Sequence, residues 1–306
     1  MLSAIVAVTL LVPDVDSAAE AYQATLSYEA VERGRVPPEQ AALWGAERLE
    51  GREFVVLRPE SGEPVYLRFV ETDAEAAPPM RALGWNATEI LVEDPVALEA
   101  RMAGSPFRVI GPPAPLEFNP KVVAMQALGP AGELLYFTRM PPGASKFGLG
   151  SATTFVDRVF IVVLGVHDIR RTLDFYGSKF GLPVNEPVPS RVDVLADAWA
   201  LPRSQPFLLG IVRLPERFLI EVDEYPPAAS GKRVADGELP AGMAMVSFTV
   251  PSLEPYLAQF ESPPVTLNGV PYDRRRAGVL RGPNGERIEL VEARAVEAGP
   301  ASGGRR

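Results

Sequence analysis

Residues 159–176 read V-F-I-V-V-L-G-V-H-D-I-R-R-T-L-D-F-Y, and residues 5–22 read I-V-A-V-T-L-L-V-P-D-V-D-S-A-A-E-A-Y. Each stretch is an apolar run of strand length, then an aspartate, then a segment with helical spacing that closes on tyrosine. Asp14 aligns with Asp168 and Tyr22 with Tyr176. Further on, Val36-Pro37 aligns with Val188-Pro189 and Trp44 with Trp199, all at a nearly constant offset. One such match means little, but several in order mark an internal duplication.

Each half contains a second, shorter unit. Ala87 to Asp94 (A-T-E-I-L-V-E-D) and Met245 to Ser252 (M-V-S-F-T-V-P-S) are apolar runs followed by amphipathic stretches. These units close on a turn and a strand: G-P-A-G-E-L-L-Y-F-T from Gly129 and G-P-N-G-E-R-I-E-L-V-E from Gly282. The pattern of strand, helix and further strands therefore occurs four times, with modules at about 1–75, 80–140, 156–226 and 240–294. Grouped along the chain, these predict domains over 1–140 and 156–294, a linker over 141–155 and a disordered tail over 295–306.

Composition narrows the function classes. The 306 residues are 47% hydrophobic and 23% charged, enough for a sizeable core. With no cysteine, disulfides, thiolate metal sites and cysteine nucleophiles are excluded, which fits a cytoplasmic protein. The net charge of −9 argues against nucleic acid, since phosphate binding needs a concentrated basic surface. The run Arg274 to Arg276 is too short to supply one and is read as a solvated edge. No apolar window is long enough for a membrane span. The apolar start, Leu2 to Val12, lacks a basic flank and a small-residue cleavage site, so it is read as a buried strand.

The strand V-V-L-G-V-x-D-I, the helix ending D-F-Y-x-x-x-F-G-L and the closing G-P-N-G-x-x-I-E-L-V-E together resemble the vicinal-oxygen-chelate superfamily. That group contains glyoxalase I, extradiol dioxygenases and bleomycin-resistance proteins. The resemblance is good over 157–293 and weaker over 1–140. It implies an α+β fold of two tandem glyoxalase-like domains, each a pair of βαβββ modules forming a cupped mixed sheet. It also implies where a metal would sit, on the first and last strands of paired modules. Carried over, the first-strand positions are Ala7, Ala87, Ile161 and Met245, and none is a metal donor. The last-strand positions are Arg68, Tyr136, Glu221 and Glu289. The one histidine, His167, lies about 20 Å along the strand from Ile161, at the loop end. Neither a metal nor any other cofactor is expected.

Glu221 and Glu289 are the candidate catalytic pair. Pointing into one cup, two carboxylates raise each other's proton affinity and suit proton abstraction and return; the alternative is that each is salt-bridged to a nearby arginine. Arg68 and Tyr136 are candidate substrate contacts, an arginine clamping an anion and a phenol donating a hydrogen bond. Arg68 facing solvent from an edge strand is equally open. Trp44 and Trp199, with Trp85, are candidates for lining an aromatic pocket or for packing, and Tyr22 and Tyr176 are read as core.

Three functions remain in play. The first is a metal-independent lyase or isomerase acting on a small organic acid or aromatic metabolite through Glu221 and Glu289. The second is a bleomycin-resistance-type protein that sequesters a ligand unaltered. The third, a metal-dependent glyoxalase or extradiol dioxygenase, suffers from the missing imidazoles. The expected partner is a small molecule, with neither nucleic acid nor membrane, on a monomer or homodimer.

Overall fold

The computed structural model describes residues 1–117 and 119–294; the tail expected to be disordered, 295–306, lies outside the described residues. The first module comprises β1 (Ile5–Val12), α1 (Val15–Leu26), β2 (Glu29–Arg35), α2 (Pro38–Leu43), β3 (Glu53–Arg58) and β4 (Tyr66–Glu71). The second comprises β5 (Ala82–Val92), α3 (Pro95–Met102), β6 (Arg108–Leu116), β7 (Asn119–Leu128) and β8 (Leu134–Arg139). The third comprises β9 (Val156–Val166), α4 (Ile169–Phe180), β10 (Val188–Ser190), α5 (Asp193–Ala198), β11 (Phe207–Arg213) and β12 (Leu219–Glu224). After a two-residue strand, β13 (Ser230–Gly231), the fourth comprises β14 (Gly242–Val250), a 3₁₀ turn (Glu254–Gln259), β15 (Val265–Leu267), β16 (Arg275–Arg281) and β17 (Arg287–Glu292).

Local chemistry explains the recurrence. Just past the first strand of the first three modules, an aspartate caps the start of the adjoining helix. Asp14 accepts from the Ser17 amide (2.9 Å), Asp94 from Val96 (2.9 Å) and Asp168 from Arg171 (2.9 Å). These caps occupy backbone donors that a helix start leaves free. The closing turns are equally specific. Glu133 and Glu286 fold back over their own turns and accept from the amides of Ala131 (2.9 Å) and Asn284 (2.8 Å). Each is also reached by a tyrosine from another module, Tyr22 to Glu133 (2.8 Å) and Tyr176 to Glu286 (3.2 Å). Both tyrosines are buried, as expected, and each ties two modules together.

The glycine that opens each turn is required for space. A Cβ on Gly129 or Gly282 would overlap the Glu133 or Glu286 carboxylate. Moving that carboxylate would break its buried hydrogen bonds. Gly282→Ala is therefore expected to destabilise the protein by about 1–3 kcal/mol. Urea unfolding measures this, and an unchanged midpoint would contradict the role given to the turn.

The sheets correct the expected grouping of modules along the chain. One sheet runs β15-β16-β17-β14-β1-β4-β3-β2, joining the first module to the fourth. The other runs β10-β11-β12-β9-β5-β8-β7-β6, joining the third to the second, with β13 added beside β5. The seams are antiparallel, β1 on β14 and β5 on β9. Neither cup is made within residues 1–140 or within 156–294; each takes one module from each half.

The seam strands β1 and β9 are buried along their whole length, which accounts for their unbroken apolar runs. One face of each sheet joins α1, α3 and α4 in a common core that includes Val8, Trp85, Ile90, Val162 and Phe248. The opposite faces form the two cups. Trp85 belongs to this core, and its indole N–H donates to the Arg287 carbonyl of the other sheet (2.7 Å). Among the described residues no helix is long and apolar enough to cross a membrane.

Candidate functional site

Strand register defines the floor of each cup. In the first-and-fourth cup, Thr9 lies beside Arg68 and Ser247 beside Glu289. In the second-and-third cup, Glu89 lies beside Tyr136 and Val163 beside Glu221. The two sets are equivalent, because Ala7 faces Ser247 across one seam as Ala87 faces Val163 across the other. The floor positions are thus Thr9, Glu89, Val163 and Ser247, each two residues beyond the expected Ala7, Ala87, Ile161 and Met245. The shift leaves the strand face unchanged and brings in Glu89, which sequence reasoning passed over. Its signal was a lone charge inside the apolar run A-T-E-I-L-V.

Glu221 and Glu289 therefore do not share a pocket. Glu289 is fully buried and saturated with partners. Trp44 Nε1 donates to it (2.9 Å), as do the Tyr272 hydroxyl (2.8 Å), the Ser247 hydroxyl and Arg68 Nη2 (3.2 Å). Arg68 is only 1% exposed, so it neither faces solvent nor waits for an anion. Its guanidinium also donates to Thr9 Oγ1 and to the Tyr272 hydroxyl (2.6 Å), and lies 4.7 Å from the Trp44 ring centroid and 5.4 Å from that of Tyr272. This cup is filled by its own cation, held by charge and by aromatic faces. Glu289, Arg68 and Trp44 form a structural plug, the salt-bridge alternative for Glu289.

The second-and-third cup is open. A cavity of about 690 Å³ is lined by Glu89, Tyr136 and Glu221 on the floor, with Ile110, Leu116 and Leu209 among its apolar walls. That volume is within the range of small-molecule sites. Thr138 donates to Glu89 Oε1 (2.6 Å). The Glu221 carboxylate makes no hydrogen bond or ion pair with a described residue, and the buried Asp223 Oδ1 has no partner either. At the rim the charges neutralise one another: Arg191 pairs with Glu117 (3.1 Å), and Arg203 with Asp197 (2.7 Å). Among the described residues no cation pairs with Glu89 or Glu221.

Burial governs the protonation of these acids. It lifts Glu89 to about 7, partly offset by the Thr138 hydrogen bond. Burial, then the charge of Glu89, lifts Asp223 to about 7. Glu221 goes well above the usual carboxyl range, first through burial and then through the charges of Asp223 and Glu89. Tyr136 is pushed up by burial and by the same acids.

The other expected contacts fall elsewhere. Trp199 is absent from the cavity lining; its indole donates to the Met80 carbonyl (2.9 Å) while Arg81 stacks on its ring at 4.4 Å. Unlike Trp44, it packs at the cup's margin. His167 is exposed beyond β9, at the loop end as expected. Arg276, on β16 between β15 and β17, pairs with Glu254 and Glu292 in the other sheet from the open cup.

The metal implied by the resemblance finds a poor donor set. The open floor offers two carboxylates, a phenol and a valine, with no imidazole. Among the described residues no group of three or more His, Cys, Asp or Glu side chains is placed to hold an ion. The residues present do not fit that site.

No protein-family model matches the sequence, and no curated protein matches it. Solved structures do match over nearly the whole chain. Glyoxalase I from Zea mays aligns with a TM-score of 0.63 and 14% identity, covering 94% of this chain and 92% of that one. A putative dioxygenase from Bacillus subtilis subsp. subtilis str. 168 aligns with a TM-score of 0.63 and 14% identity, covering 96% and 86%. The chain has the fold of the vicinal-oxygen-chelate superfamily, carried as two glyoxalase-like units whose modules cross between its halves.

Proposed function

We propose that the open cup is the working pocket and that Glu89 and Glu221 perform metal-independent acid–base chemistry there, of the lyase or isomerase kind. The observation that carries this reading is the contrast between the cups. Equivalent floor positions are neutralised by Arg68 in one, while in the other two carboxylates line a cavity and find no cationic partner among the described residues. Glu221, whose proton affinity is raised first by burial and then by the charges of Asp223 and Glu89, serves as the donor. Glu89, steadied by Thr138, changes charge around 7 and serves as the acceptor. A base with proton affinity near the working pH suits removal of a proton from carbon, and a neutral carboxyl suits its return. A small organic acid is a poor substrate for this pocket, because an acidic floor without an arginine repels it.

A set of carbon acids incubated in heavy water tests this by exchange of carbon-bound hydrogen for deuterium. Exchange by the native protein is expected to fall about 10²–10⁴-fold in Glu89→Gln and in Glu221→Gln. Full exchange in both variants would end the acid–base reading.

A further inference from the structure

The two cups are copies of one design, and one of them is already occupied. In the filled cup the occupant is a guanidinium, seated against Glu289 and flanked by the Trp44 and Tyr272 rings. In the open cup the carboxylate equivalent to Glu289 is Glu221, and the position equivalent to Arg68 is Tyr136. The acid has been kept and the base has gone. Two further acids have been gathered around it, Glu89 from the neighbouring module and Asp223 on the same face of β12.

We infer that the open cup takes a ligand with a cationic head, a guanidinium or an amine, and an apolar body. The inference rests on the open cup being the working pocket. Three observations support this choice over an anion or a neutral ligand. Asp223, 2% exposed and outside the cavity lining, leaves Oδ1 without a partner and adds a further acid beside Glu221 on β12 with no cation to offset it among the described residues. Glu89 and Glu221 border the cavity while the arginines in its lining, Arg191 and Arg203, are paired at the rim. The walls above the floor, including Ile110, Leu116 and Leu209, suit an apolar body. Cation binding favours the ionised carboxylates, so it releases protons and leaves Glu89 ready to act as a base.

Calorimetric titration with benzamidine and benzylamine, against benzoate and benzyl alcohol, tests the inference without requiring turnover. Both cations are expected to bind at least tenfold more tightly than the anion and the neutral probe. Heats measured in buffers of different ionisation enthalpy are expected to reveal proton release. Tyr136→Arg places an arginine where the filled cup carries Arg68 and is expected to lower benzamidine affinity at least tenfold. Glu221→Gln, which keeps the shape of the floor, is expected to do the same. Circular dichroism confirms folding in each case. Preference for benzoate or benzyl alcohol, or benzamidine affinity unchanged in the folded variants, would overturn the inference. Selective cation binding without deuterium exchange would uphold it while removing the acid–base reading.

Discussion

Arg68→Met is expected to destabilise the protein by about 3–5 kcal/mol, the usual cost of removing one partner from a buried ion pair. The guanidinium is 1% exposed and the Glu289 carboxylate fully buried, so no water stands ready to replace what is lost. Trp44, Tyr272 and Ser247 would still donate to Glu289, but three neutral donors do not cancel a charge. The carboxylate would have to take up a proton or the cup would have to open. Adding Glu289→Leu to Arg68→Met should restore most of the stability, because the polar partners left behind cost less than a buried charge. Urea unfolding of both variants measures the difference. A single variant within about 1 kcal/mol of the native protein would show that the pair does not hold this cup together.

Stability is expected to fall as pH rises from 5 to 7, opposite to ordinary acid denaturation. Glu89, Glu133, Asp223 and Glu286 are each raised to about 7, chiefly by burial. Between the ordinary carboxyl range and that value, the folded chain keeps protons that the unfolded chain releases. A raised carboxyl therefore favours folding fully at the lower end of the window, and the advantage is lost as pH climbs through 7. Each fully responding group contributes a slope of about 1.4 kcal/mol per pH unit. Partial relaxation leaves an expected total of roughly several kcal/mol. Lys232 opposes this only above 7. Burial lowers it to about 7, so from there upward the folded chain sheds that proton first and stability recovers. Unfolding midpoints at pH 5, 6 and 7 that stay level or rise would contradict the assignment.

What could be read from the sequence was what short stretches encode. The four modules, their aspartate caps at Asp14, Asp94 and Asp168 and the G-P-x-G-E turns depend on neighbours within a few residues. Which module meets which depends on partners far along the chain, such as β1 on β14, and periodicity carries no information about that. The pairing decided the site. It separated Glu221 from Glu289, joined Glu289 to Arg68, and left Tyr136 with Glu221. Glu89 was missed for a related reason. Ala87 and Glu89 lie on the same strand face, and only the register with β8 tells which of them stands on the floor.

The crossed pairing also sets an order of assembly during synthesis. The second and third modules are contiguous in the nascent chain, so the open cup is able to close while the fourth module is still being made. Strand β1 emerges long before its seam partner β14. Until then β1 presents an unpaired apolar edge, the kind of surface that recruits strands from other chains. The halves close like nested brackets, inner pair before outer. Truncation before residue 242 would leave the acidic pocket with its own strands and deprive the arginine-filled one of half its wall.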